Sequence, residues 1–216
     1  MAVIKYICAL NQVFHSLLQL IMHELVIASN NKGKIAEIRA MIEDITLLSL
    51  RDIGFDKDIP EPYDTFEENA ATKAETIAEY SGKNTFADDS GICVNALSGA
   101  PGVFSARYAG EKATDDANLQ KLLHEMQGKD DRTAYYKAVI CLIWNGETHY
   151  FEGVCNGKIS DAPTGDGGFG YDPIFIPDGY DQSFGELPAA IKHSISHRGI
   201  AVRKMVAFLQ QQTGAK

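Results

Sequence analysis

The sequence predicts an α/β fold built on one mixed sheet, and three observations predict it. Short apolar strand patterns alternate with amphipathic helix patterns through the first half of the chain. Two long β-branched and aromatic runs, 133–144 and 148–154, flank Asn145-Gly146, the strongest short hairpin signal. No repeat, linker or low-complexity tract divides the chain. βα alternation calls for parallel pairing and a hairpin for antiparallel pairing, so the sheet must hold both.

The elements follow in order. Glu24–Ser29 (ELVIAS) reads as a strand, ended by the polar loop Asn30-Asn31-Lys32-Gly33-Lys34. Ile35, Ile38, Ala40 and Ile42, spaced among charges, give a helix over Lys34–Glu43. Leu47–Leu50 is a second short strand and Asp56–Asp64 an acidic loop with two prolines. Thr65-Phe66-Glu67-Glu68 has the spacing of a capping box and opens a helix running to Tyr80. Phe86–Leu97 holds the acidic run Asp88-Asp89 and a strand, and Gly99–Gly110 is a Gly/Pro-punctuated loop. A helix over Asn118–Met126 precedes the hairpin, Thr133–Trp144 and Thr148–Val154. A Gly-rich loop, Asp161–Asp172, leads into a strand over Pro173–Ile176. The last helix covers His197–Gln212 with Ser196 as its N-cap.

Composition narrows the function. The chain has 216 residues, 45% of them hydrophobic, which suits one domain with a real core. A formal net charge of -9 argues against non-specific binding to nucleic acid or to an anionic membrane. Cys8, Cys93, Cys141 and Cys155 form no CxxC pattern, and a reducing, cytoplasmic compartment is expected. Residues 1–21 are apolar but broken by Asn11, Gln12, His15 and Gln19, with no cleavage pattern and no span long enough for a membrane. Met22 stands directly before the first strand, so residues 1–21 are read as an upstream extension and 22–216 as the domain.

Four groups carry chemistry. Ala87-Asp88-Asp89-Ser90-Gly91 sets two carboxylates side by side, which repel unless a cation or proton intervenes. The pair reads as a metal site, a general base or both, against a solvated turn. Ser29–Lys34 lies between strand and helix, where free N–H groups and the helix dipole attract anions, though it is no Walker A loop. Glu61 and Glu68 add carboxylates of the kind magnesium takes beside a phosphate, and Lys73 follows five residues after Glu68. Gly167-Gly168-Phe169-Gly170-Tyr171-Asp172 offers an aromatic ring flanked by glycines, suited to a flat ligand. Lys192 and His197-Arg198 complete the set; cations at a helix N-terminus oppose its dipole and imply a compensating partner.

In this order these groups resemble the inosine triphosphate pyrophosphatase family. The resemblance spans residues 24–209 and rests on SNNKGK (29–34), FEENAATKA (66–74), FADDSG (86–91), GAPGVFSARYAG (99–110), GGFGYDP (167–173) and SHRG (196–199). It implies a two-lobed fold, a long twisted mixed sheet flanked by helices, with a nucleotide cleft between the lobes, and a homodimer. It implies Mg²⁺-dependent hydrolysis of ITP, dITP and XTP to monophosphate and pyrophosphate, which clears deaminated purines from the nucleotide pool. By matching motif, Ser29, Asn30, Asn31, Lys32, Gly33 and Lys34 bind triphosphate and Ser90 touches substrate. Asp89 is proton acceptor and metal ligand, with Glu61 and Glu68 as further metal-site carboxylates and Lys73 as a second catalytic residue supporting the phosphate site. Phe169, Gly170, Tyr171, Asp172, Lys192, His197 and Arg198 form the base pocket. Donors aimed at O6 of hypoxanthine or xanthine reject adenine, since a buried polar group left unpaired costs about 1–3 kcal/mol. The alternatives are a Maf-like pyrophosphatase of pyrimidine or modified nucleotides and a catalytically silent nucleotide-binding protein.

Overall fold

The structure is a computed structural model that describes residues 24–42 and 45–213. The reading of residues 1–21 lies outside the described residues.

Six strands form one sheet. They are β1 (Glu24–Ile27), β2 (Thr46–Leu48), β3 (Thr85–Val94), β4 (Thr133–Trp144), β5 (Glu147–Ile159) and β6 (Phe175–Pro177). Their order is β2-β1-β3-β4-β5-β6. β1 pairs in parallel with β2 and β3; every pairing from β3 onward is antiparallel. The mixed sheet expected from the sequence is present. The hairpin turn at Asn145-Gly146 puts both residues at positive φ, 51° and 84°, as a two-residue turn between twisted strands requires.

Five α-helices flank the sheet in the described residues: α1 (Lys32–Arg39), α2 (Phe66–Ser81), α3 (Asp115–Glu125), α4 (Ala189–Ile195) and α5 (His197–Thr213). α1 starts two residues earlier than its apolar spacing predicts, because the Asn31 side chain caps it by accepting from Lys34 N at 3.0 Å. α3 likewise starts at Asp115 behind the Thr114 cap. Half of the Thr65–Glu68 capping box forms: Glu68 N donates to Thr65 Oγ1 at 3.2 Å, while the Glu68 carboxylate accepts from the Thr65 hydroxyl rather than from its backbone N–H. None of these helices is long and apolar enough to cross a membrane.

Apolar side chains gather at two ends of the long strands. At one end, Phe86, Ile140 and Leu142 pack under α1 and α5, while Ala87 and Cys141 pack under α2 on the opposite face. At the other, Ile92, Tyr136, Phe175 and Phe184 pack with Leu119 and Leu122 of α3. Between these two cores β3 carries its polar residues, Asp88, Asp89 and Ser90, and the candidate site opens there.

Candidate active site

The crevice follows from topology. The chain leaves β1 toward β2 on one side and returns through α2 to β3 on the other, so the strand order reverses between β1 and β3. β1 pairs with β3 only through Phe86; beyond it, β3 has an edge with no partner strand. Lys73 Nζ donates to the Asp88 carbonyl there at 3.0 Å. A cavity of about 380 Å³ opens at this edge.

Strand alternation then separates the two acids. Asp88 follows the face of Phe86, toward α1 and α5; Asp89 follows Ala87, toward α2. Asp88 Oδ2 meets Lys34 Nζ at 2.9 Å and Arg198 Nε at 3.4 Å and accepts from Ser90 Oγ at 3.1 Å. Burial opposes its charge, but Lys34 and Arg198 outweigh burial and hold its carboxyl well below the usual carboxylate range. Asp89 Oδ1 meets Lys73 Nζ at 3.1 Å. Burial pushes its carboxyl up, against the pull of Lys73 and Lys34. Asp89 is thus the more basic of the two, the property a proton acceptor needs.

The loop 29–31 closes one end of the cavity. Asn31 N donates to Ser29 Oγ at 3.2 Å, and Ser29, Asn30, Asn31 and Lys34 line the wall. Lys32 is exposed in the first turn of α1 and lies off that wall. Gly33 is required by a close approach: a Cβ there would meet the Phe169 ring at 2.8 Å.

Beside this loop the wall is built around Phe169. Lys192 Nζ lies 5.1 Å and Arg198 Cζ 5.6 Å from its ring centroid. His197 is buried and stacks on Tyr136 at 4.5 Å, the rings 5° apart. Burial, reinforced by Arg198, holds its imidazole well below the usual histidine value, so the ring is neutral. Ser196 Oγ accepts from Gly199 N at 3.1 Å, which fixes the start of α5 and the direction of His197 and Arg198. Arg198 donates to Ser90 Oγ at 2.8 Å and to the Glu37 carboxylate. Three buried side-chain atoms among the described residues have no hydrogen-bond partner: Asp88 Oδ1, Asp89 Oδ2 and His197 Nδ1. All three residues line this cavity.

A sequence model of the Ham1 family matches residues 25–208. The chain belongs to the Ham1 family. It is 47% identical over 189 residues to a Christiangramia forsetii protein named dITP/XTP pyrophosphatase, covering 87% of this chain and 100% of that one. It is 43% identical over 196 residues to a Bacillus subtilis protein of the same name, covering 88% and 99%. The solved Staphylococcus aureus Ham1 protein superposes with a TM-score of 0.80 at 42% identity, covering 88% of this chain and 99% of that one. The resemblance read from the motifs therefore holds.

The Ham1 cavity departs from the sequence reading at several points. Glu68 is exposed and off the cavity wall; its carboxylate accepts from Thr65 Oγ1 at 2.6 Å. The capping box that makes it recognisable in sequence also holds it away from the other carboxylates. Asp172 is buried, and its Oδ2 accepts from Lys192 Nζ at 2.6 Å and Phe169 N at 2.7 Å. It therefore braces the pocket wall, holding Lys192 and the Phe169 backbone together. Glu37, which the sequence reading passed over, accepts from Lys192 Nζ at 2.5 Å as well as from Arg198. Burial opposes the Glu37 charge, and Arg198 and Lys192 overcome it. Arg107 was missed too: it donates to Glu61 Oε2 at 3.2 Å and to the Glu61 carbonyl at 3.1 Å.

The donor set fits magnesium. No group of three His, Cys, Asp or Glu side chains among the described residues is arranged to hold a metal. Magnesium does not need one: it takes one or two carboxylates and completes its shell with water and phosphate oxygens. Asp89, with Oδ2 unpartnered, and Glu61, joined to it through the same Lys73, would be that pair.

Proposed function

We propose that this protein hydrolyses ITP, dITP and XTP to the monophosphate and pyrophosphate. Relatives identical at nearly half of the aligned positions are named dITP/XTP pyrophosphatase, and this observation carries the reading. The cavity agrees with it: its wall carries unpartnered carboxylate oxygens and a neutral imidazole stacked on an aromatic ring.

In this reading the N–H groups of the Ser29–Lys34 loop and the Lys34 ammonium bind the triphosphate. Asp89 and Glu61 would hold Mg²⁺, which neutralises phosphate charge when bound. Asp89 takes the proton of the attacking water, since burial raises its affinity for that proton. Phe169 stacks on the purine. Lys192, His197 and Arg198 present donors to O6, and Glu37 and Asp172 hold Lys192 in place. Adenine carries an amino group at that position and leaves such donors unpaired. Residues 22–216 act as one domain, in the cytoplasm and as a homodimer.

Pyrophosphate release across ITP, dITP, XTP, ATP, GTP, dTTP and UTP, with and without Mg²⁺, tests the reading. It expects release from the first three only, and only with the metal. Faster cleavage of dTTP or UTP than of ITP would overturn it in favour of the Maf-like alternative; no cleavage at all would favour a binding protein.

A further inference from the structure

Lys73 is the group in the cavity whose position the proposed reaction does not explain. It sits on α2, is buried, and its ammonium contacts three oxygens: Glu61 Oε1 at 2.5 Å, Asp88 O at 3.0 Å and Asp89 Oδ1 at 3.1 Å. An ammonium has three donors, so all of them are used. Two of the three oxygens belong to the carboxylates assigned to the metal. Around this point the other cation contacts are spoken for: Arg107 holds Glu61 Oε2, and Lys34 holds Asp88. Asp89 Oδ2 remains buried without a partner beside the ammonium.

Two cations cannot share these oxygens cheaply. Unit charges a few ångströms apart repel, and a divalent ion doubles that repulsion. We infer that the Lys73 ammonium is a resident counterion that occupies the metal's carboxylates in the nucleotide-free protein, and that a divalent cation binds there only as Lys73 withdraws. The inference rests on the assignment of Asp89 and Glu61 to the metal. Its consequence is a site kept closed until nucleotide arrives: triphosphate oxygens offer the displaced ammonium, on its flexible stem, a new set of acceptors. Metal and nucleotide then bind together more tightly than either alone.

The test is Mn²⁺ binding to nucleotide-free protein in slightly alkaline buffer, read from the loss of the free-ion EPR signal. Lys73→Met keeps the stem and deletes the charge, and is expected to bind Mn²⁺ about tenfold or more tightly than the unmodified chain, the scale of removing a repelling charge. Lys73→Gln serves where the methionine variant does not fold, and Lys73→Arg, still cationic, is expected to bind weakly. Adding Asp89→Asn to Lys73→Met is expected to abolish the gain. Equal or weaker Mn²⁺ binding by the neutral variants, with binding still dependent on Asp89, overturns the inference and leaves the metal assignment standing. Tight binding that survives Asp89→Asn overturns the metal assignment and the inference with it.

Discussion

Asp88 and Asp89 leave β3 on opposite faces of the sheet: Asp88 meets Lys34 at 2.9 Å, and Asp89 meets Lys73 at 3.1 Å. Adjacent in the chain, they do not form a carboxylate pair around one cation. Asp88 is the ionised partner that ties α1 and α5 to the central strand, and Asp89 is the carboxylate turned toward α2 and Glu61.

Asp88→Asn is therefore expected to be a stability variant. It leaves the buried Arg198 and the partly buried Lys34 facing a neutral amide, and breaking a buried pair in this way costs about 3–5 kcal/mol. The effect carries a pH signature. The Asp88 carboxyl binds its proton at lower pH folded than unfolded, where its ordinary value is 3.8. Its contribution is whole above that value and drains away as the pH falls below it. Urea unfolding across pH should show the variant losing most at neutral pH and converging on the unmodified chain in acid. A constant gap at every pH would refute the assignment.

Asp89→Asn is expected to lower turnover of ITP by about 10²–10⁴-fold, the usual contribution of a positioned general base. Its stability loss should be smaller than that of Asp88→Asn, because burial already disfavours the Asp89 charge and Lys73 keeps Glu61. Binding of ITP, measured by calorimetry, should persist. Turnover within a few-fold of normal would remove Asp89 from the role of base.

His197→Ala and Arg198→Ala should differ in kind. His197 contacts Tyr136 and presents Nδ1 without a partner, so its loss should narrow the preference for ITP over ATP and change little else. Arg198 also bonds Ser90 and Asp88 on the reacting strand, so its loss should lower the kcat for ITP as well. Glu37→Gln, which loosens both Lys192 and Arg198, should follow Arg198→Ala more weakly. Identical kinetic profiles for the His197 and Arg198 variants would show that the two act as one group.

What the sequence showed and what it hid divide along physical lines. Local rules delivered the hairpin, the capping box, the Ser196 cap and the loop before α1, because each depends on residues a few positions apart. Glu37 was hidden because its role depends on α1 facing a helix 161 residues further along; read locally, it is one more charge on an amphipathic helix. β5 runs to Ile159, past the predicted end at Val154, because its inward positions include Gly153 and Gly157, which blur the alternation. Those glycines are required by packing: a Cβ on Gly153 would lie 2.0 Å from the His197 carbonyl. The short helix α4, which carries Lys192, has too few turns for a period to show.

Glu68 gives the sharpest separation between the motif and the geometry. The motif places it with the metal carboxylates, while the structure joins it to Thr65 at the start of α2. Glu68→Ala should therefore lower stability by about 1 kcal/mol or less, the scale of a cap contact, because the Thr65 hydroxyl still accepts from the backbone of residue 68. The kcat and KM for ITP and the Mg²⁺ concentration for half-maximal rate should stay within about twofold, since surface changes of this kind rarely exceed about 0.5 kcal/mol. Thr65→Ala, which removes the cap itself, should cost more stability with equally little effect on rate. If Glu68→Ala raises the Mg²⁺ requirement tenfold while Thr65→Ala does not, the carboxylate must leave its cap to reach the metal, and the motif rather than the resting geometry describes its work.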